Sequence, residues 1–328
     1  MSYKVTVIVP IYNVEAYIER CARSLFEQTM ESLEFIFVND CTPDCSMQLL
    51  EKIISEYPGR RHDIHCVSHS QNRGLPSARN SGLAIATGEY IFHCDSDDWV
   101  DADMLTKMYN AAKKQEADIV YADWYLSFPK NERYMHQPSL DTPFDCLRAI
   151  LEGKLRFNVW NKLVKRRLYV ENQICFPDGR GMGEDMTMIK LFCHAERVTY
   201  LKGAFYHYVQ TNINSFTKSW SDKHLEQVYS NTKEVVSYVE RNGKNDISEK
   251  EIHFFKLNVK LPLLISSQHK MYDIWQQWFP ESNSYIKQNS SFSFRIRTLQ
   301  YIAIKRWYWL LRLHYYGVVK IVYGIFYR

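Results

Sequence analysis

The sequence predicts an α/β protein: a doubly wound, mostly parallel sheet with helices on both faces, followed by a helical C-terminal region. Three observations lead there. Apolar, β-branched runs alternate with helically periodic segments over residues 4–124. Those runs are almost continuously apolar, as strands covered on both faces must be. After residue 221 the strand-like runs stop and long helical patterns take over. Taken in order, residues 4–10 form the first strand. Residues 14–28 form the first helix, with Ile18, Cys21, Ala22 and Leu25 on its apolar stripe. Strand and helix alternate again at 33–38 and 47–57, at 64–67 and 77–86, and at 90–94 and 102–115, and a further strand follows at 117–124. Residues 142–153 make an amphipathic helix through Phe144, Leu147, Ile150 and Leu151, and another helix spans 186–193. Beyond them lie helices over 223–241 and 249–271, the second kinked at Pro262. Residues 1–220 are expected to form the α/β domain and 221–328 the helical region.

The chain has 328 residues, enough to bury a full core. Its net charge of +4 conceals a split. Residues 282–328 contain no Asp or Glu but carry Lys287, Arg295, Arg297, Lys305, Arg306, Arg312, Lys320 and Arg328, so the remainder is acidic. A basic tail interleaved with Trp, Tyr and Phe suits an anionic membrane surface better than a nucleic acid, and no nucleic-acid partner is expected. The eight cysteines include no CxxC pair, and Cys41 and Cys45 lack partners for a zinc site. A reducing, cytosolic setting follows. The opening residues do not read as a signal peptide, and no run of eighteen uncharged apolar residues suggests a membrane span.

In parallel sheets ligands bind beyond the carboxyl ends of the strands. The unusual polar residues fall there: Tyr12-Asn13 after strand one, Asn39-Asp40 after strand two, residues 69–74 after strand three, and Asp95-Ser96-Asp97-Asp98 after strand four. Pro10-Ile11-Tyr12-Asn13 stands where a glycine-rich dinucleotide loop would be, which disfavours a Rossmann dehydrogenase. In an extended segment Asp95 and Asp97 point the same way and offer two hard oxygen ligands to Mg²⁺ or Mn²⁺. The plainer account is a polar turn, with Asp101 capping the next helix.

Four ordered motifs carry a resemblance: residues 7–13 (VIVPIYN), 38–44 (VNDCTPD), 72–80 (NRGLPSARN) and 95–98 (DSDD). Together they resemble the family 2 glycosyltransferases of the GT-A fold, over roughly the first 125 residues with weaker echoes to about 217. The resemblance implies an inverting transferase that uses a nucleotide-diphosphate sugar, expected to be a UDP-sugar, with Mn²⁺ or Mg²⁺. Pro10, Tyr12, Asn13 and Glu15 would line the base and ribose edge, with Asp40 on the nucleoside. Asn72 and Arg79 would lie near nucleotide and phosphate, and Asp95 and Ser96 near the ribose. Asp97 and Asp95 would ligate the metal, with His207 completing its shell or touching phosphate. Trp160 and Lys162 belong to an acceptor-side element. Asp185 would be the general base, supported by Glu184 in the glycine-rich stretch 179–185. Where the family often has Arg after the aromatic run, this chain has Val209-Gln210. The expected acceptor is a glycan or lipid-linked glycan, and the expected location is the inner face of the cytoplasmic membrane, held peripherally by the tail. A homodimer is a further possibility. The rivals are a nucleotidyltransferase, which would need a basic residue near the N-terminal loop where 10–13 offers none, and a sugar- or nucleotide-binding protein without turnover.

Overall fold

All seven residues of β1 (Val5–Ile11) are buried, because the strand lies in the middle of a sheet with parallel neighbours on both sides. The computed structural model describes residues 3–212, 221–243 and 247–318. Two compact units emerge, one from residues 1–146 and 157–242, the other from 147–156 and 243–328.

In the first unit β1 is followed by α1 (Ile18–Phe26), β2 (Leu33–Asn39), α2 (Ser46–Glu56), β3 (Ile64–Ser68), α3 (Leu75–Ile85), β4 (Tyr90–His93), β5 (Trp99–Val100), α4 (Met104–Gln115), β6 (Ile119–Ser127) and β7 (Glu132–Met135). After α5 (Pro143–Leu151) come β8 (Lys162–Lys165), α6 (Arg166–Glu171), α7 (Thr187–His194), β9 (Val198–Val209) and α8 (Asp222–Asn242). The sheet order is β3-β2-β1-β4-β8-β6-β9-β5, with β7 on β6. The strands β3, β2, β1 and β4 run parallel, as their unbroken apolar pattern predicts. β8 enters antiparallel between β4 and β6, and β9 then runs parallel to β6. Helices flank the sheet, and the predicted α/β class with a helical C-terminal region stands.

Among the described residues the second unit is helical: α9 (Glu249–Lys260), α10 (His269–Gln277), α11 (Phe294–Ile304) and α12 (Tyr308–His314). Pro262 ends α9 in a short 3₁₀ turn, Leu261–Leu264, rather than kinking one long helix. α8 belongs to the first unit, which therefore reaches past residue 220. It buries Leu225, Val228, Val235, Val236 and Val239, a stripe at helical spacing. No helix among the described residues is long and apolar enough to cross a membrane. All eight cysteines are free thiols.

One buried polar network ties β1, β2 and the α3–β4 turn together. Thr6 Oγ1 donates to Glu34 Oε2 at 2.5 Å, and Glu34 also accepts from Thr87 N (2.8 Å) and Thr87 Oγ1 (2.9 Å). Gly88 N donates to Thr6 Oγ1 at 2.8 Å. A Cβ on Gly88 would lie 2.5 Å from Thr6 N, a backbone atom that cannot swing aside. Gly88→Ala should therefore lower unfolding free energy by about 1–3 kcal/mol through overpacking. Chemical denaturation monitored by circular dichroism checks this, and an unchanged midpoint would refute the tight contact.

Candidate active site

The site is built on α3. Ala78 and Gly82 are buried, and a Cβ on Gly82 would sit 2.5 Å from Ile8 Cγ2, so the helix lies close against β1. That closeness places Arg79 inside, with only 1% of its side chain exposed. Its guanidinium holds three carboxylates from two separate segments. Nη2 donates to Asp95 Oδ1 (2.8 Å), beyond β4, and Nη1 to Glu184 Oε1 (3.1 Å) and Asp185 Oδ1 (3.3 Å), just before α7. The Phe176 ring packs 5.3 Å from the guanidinium carbon.

The neighbouring residue locks the second acidic segment in place. Asn80 Nδ2 donates to Phe176 O and Asn80 Oδ1 accepts from Phe176 N, both at 2.9 Å. Ser77 Oγ donates to Asp178. From the other side, α8 grips the same loop. Gln227 accepts from Met182 N (3.2 Å) and donates to Gly179 O (3.1 Å), and Asn231 Nδ2 donates to Met182 O (2.8 Å). Glu234 pairs with Arg180 and Lys190.

Asp95-Ser96-Asp97-Asp98 is a turn, not an extended segment: Asp98 N donates to Asp95 O at 3.1 Å. Strand alternation therefore does not aim Asp95 and Asp97 together as the sequence suggested. Instead each carboxylate has its own anchor. Asp97 accepts from Asn212 Nδ2 (2.8 Å). Asp98 is buried and accepts from Tyr206 Oη (2.7 Å) and Val209 N (2.7 Å), while Tyr206 Oη also accepts from Asp95 N (3.1 Å). Ser96 is buried within the turn.

Arg79 does not offset the cost of burying this many acids. Burial pushes the Glu184 carboxyl up, and the adjacent Asp185 pushes it further, against Arg79. Burial also raises Asp185, with Arg79 pulling it back and Asp95 adding to the rise. Asp98 rises well above the usual carboxylate range through burial and its neighbours Asp97 and Asp95.

Four expected contacts are corrected. Asp40 is held by the protein: it is 3% exposed, its oxygens accept from Arg73 N (2.8 Å) and Gly74 N (2.7 Å), and His69 Nδ1 lies 2.7 Å away. It anchors the loop that leads into α3. His207 does not reach the Asp95–Asp97 turn. Its ring nitrogens meet Glu132 (2.7 Å) and Asp101 (3.2 Å), and it stacks between Trp99 and Tyr125. Along β9 it alternates with Tyr206, which points to the acidic turn, so His207 faces away. Trp160 is 3% exposed and packs on Tyr206, Tyr208 and Trp124, which leaves no open ring face for a sugar. Lys162 is buried, donates to Asn158 O (2.7 Å) and Asn161 Oδ1 (2.8 Å), and does not present its ammonium to an acceptor. Burial lowers its pKa to about 7, with Asp185 acting in the opposite sense.

The remaining expected residues lie at the strand ends. Pro10 is inside β1, opposite Val38. Tyr12 (48% exposed), Asn13 and Glu15 follow it, stitched to the loop after β2 by Asn13 N to Thr42 Oγ1 (2.7 Å) and Cys45 N to Glu15 Oε2 (3.0 Å). Asn72 is exposed beside Arg73.

A family model described as glycosyl transferase family 2 matches residues 6–187, more than half of the chain. The chain belongs to glycosyl transferase family 2. EpsH of Bacillus subtilis (strain 168) is 30% identical over 259 residues, covering 76% of this chain and 73% of EpsH. EpsJ of the same organism, an uncharacterized glycosyltransferase, is 31% identical over 276 residues, covering 80% and 77%. The crystal structure of S. aureus TarS 1–349 in complex with UDP-GlcNAc superposes with a TM-score of 0.73 at 19% identity, covering 95% of this chain and 91% of that one. The fold of this family 2 glycosyltransferase is therefore GT-A.

A divalent cation in this glycosyltransferase would need hard oxygen donors. Asp95 and Asp97 are of that kind, but no group of three His, Cys, Asp or Glu side chains among the described residues could hold an ion alone. The donor set fits an ion that takes part of its shell from a substrate diphosphate, as Mg²⁺ commonly does.

Arg79→Met would strand three carboxylates without their cation. Losing one partner of a buried ion cluster should cost about 3–5 kcal/mol near neutral pH. Because Glu184 and Asp185 titrate high in the folded state, their unfavourable charge appears as pH rises through those values. The deficit of the variant should therefore shrink from about pH 8 to about pH 5, as protonation neutralises both groups. Denaturation across that range checks it; a deficit independent of pH would contradict the cluster.

Proposed function

We propose that the Arg79 cluster is the catalytic centre of an inverting sugar transfer from a UDP-sugar to a hydroxyl of a glycan or lipid-linked glycan. The observation that supports this most is a single buried guanidinium gathering Asp95, Glu184 and Asp185 beyond the strand ends of a nucleotide-sugar transferase fold. Asp185 is the general base. Its side chain is 22% exposed against 12% for Glu184, so it is the more accessible of the adjacent acids. Its raised pKa brings it nearer neutrality, where a base is most effective. Arg79 keeps it ionised and oriented.

In one step Asp185 takes the proton of the acceptor hydroxyl, the oxygen forms its bond to the anomeric carbon, and the bond from that carbon to the diphosphate oxygen breaks. The nucleotide diphosphate departs with the electron pair, and the anomeric centre inverts. Glu184 shares the Arg79 charge and supports Asp185. Tyr12, Asn13 and Glu15 line the nucleoside end, and Asn72 stands near the diphosphate. Mg²⁺ or Mn²⁺, when held by Asp97 and Asp95, supplies charge neutralisation on the leaving diphosphate. A UDP donor is supported by TarS, whose crystal structure contains UDP-GlcNAc.

Asp185→Asn should keep UDP-sugar affinity and lose turnover by a factor on the order of 10² or more. Nucleotide release from a panel of UDP-sugars with Mn²⁺ reads the turnover, and calorimetry reads the affinity. Near-normal turnover in the variant would move the base elsewhere, while no release from any donor by the unaltered protein would favour a binding protein without turnover. Asp97→Ala should abolish the metal-dependent part of donor binding while leaving thermal unfolding in place. Full activity in excess EDTA would contradict the metal assignment.

A further inference from the structure

An amphipathic surface helix needs one apolar face, but α12 has two. Tyr308 and Leu311 are buried in the second unit, where Tyr308 Oη donates to Asp273 Oδ1 at 3.1 Å. Trp309 (67% exposed) and Leu313 (63%) form a second stripe at i and i+4, and Tyr316 (48%) is exposed in the π-helical turn that follows through Val318. The corner before α12 adds Trp307, exposed, and Phe294 at the start of α11 is also exposed. Arg295, Lys305, Arg306 and Arg312 are exposed on the same two helices and their connection. The corner itself is sharp: Arg306 takes a left-handed φ of 58°, and Trp307 N donates to Ile302 O at 3.1 Å.

We propose that α11 and α12 dock this protein on an anionic lipid surface. The chemistry is complementary. Aromatic rings settle at headgroup depth, and cations beside them meet lipid phosphate. No acidic residue between 282 and 328 opposes that attraction. A second copy of the chain fits less well, since a two-fold contact through this face would bring two sets of basic side chains together with no acidic residue from 282–328 to offset them. Among the described residues neither helix is long enough to span, so the docking proposed is on the surface of the membrane. Residues 319–328 lie outside the described residues, though their composition continues the pattern with Lys320, Phe326, Tyr327 and Arg328. The docking stands on these helices alone. Its consequence, that the enzyme meets a lipid-linked acceptor at the surface presenting it, rests on the transfer proposed above.

Flotation of the full chain with phosphatidylcholine vesicles, with and without phosphatidylglycerol, tests it. The protein should float with the anionic vesicles only, and added salt should release it. Each cation near such a surface raises partitioning on the order of fivefold, so Lys305→Gln, Arg306→Gln and Arg312→Gln together should weaken it on the order of 10²-fold. Trp307→Ala, Trp309→Ala and Leu313→Ala together should abolish flotation while leaving the melting curve and nucleotide release in solution unchanged, since those side chains are exposed. Absence of flotation by the unaltered protein, or equal flotation by the aromatic variant, overturns the proposal. So does light scattering that finds a dimer which the aromatic variant dissociates, because the face would then be occupied by a second copy. Intact nucleotide release without flotation would overturn the docking surface alone, and flotation without release would overturn only the transfer.

Discussion

The buried guanidinium of Arg79 is the constraint on which the site depends. An arginine with 1% exposure survives only if its charge is met, and here three carboxylates meet it. The same contact serves the other side: Glu184 and Asp185 lie near Asp95, and the guanidinium between them lowers the cost of their charge. The cluster joins segments about a hundred residues apart. Burial is what chiefly raises the two acids, with neighbouring carboxylates adding to it, toward the range where proton transfer near neutral pH is efficient.

The sheet order explains how these parts meet. β4 sits between β1 and β8, so its end delivers the acidic turn to the middle of the sheet. α3 packs against β1 through Gly82 and points Arg79 at that turn. β9 passes close enough for Tyr206 to bridge Asp95 and Asp98, and α8 holds the loop before Glu184 through Gln227 and Asn231. Supporting residues thus come from three elements that do not belong to the motif-bearing strands.

What could be read from the sequence and what could not divides along physical lines. The strand ends and the acidic turn were legible because charged residues interrupt apolar runs at positions where a parallel sheet leaves its strands open, whereas Arg79 and the Glu184-Asp185 pair were legible through the resemblance of their motifs to family 2. Partners were not legible. Asp40 looks like a ligand contact until the backbone N–H groups of Arg73 and Gly74 are seen to use it. His207 and Tyr206 are adjacent, and only the register of β9, shifted twice against β6 between Ala122 and Tyr125, decides which faces the turn. Trp160 and Lys162 carry the right chemistry for an acceptor but lie under their neighbours, which residue type cannot reveal. Asp95 and Asp97 were aligned by strand alternation, and a turn at Ser96 breaks it. Gln227 and Asn231 gave a weaker sign, as polar residues on the inner stripe of an otherwise apolar helix face.

The central claim is that Arg79 holds Asp185 ionised at a raised pKa. It is tested most directly by ¹³C carboxylate NMR titration of Asp185 in the unaltered protein and in Arg79→Lys. The account predicts titration above the ordinary aspartate value of about 3.9 in the unaltered protein. It predicts a further rise in the variant, where the planar fork that serves three carboxylates is lost. Titration at the ordinary value in both proteins would contradict it.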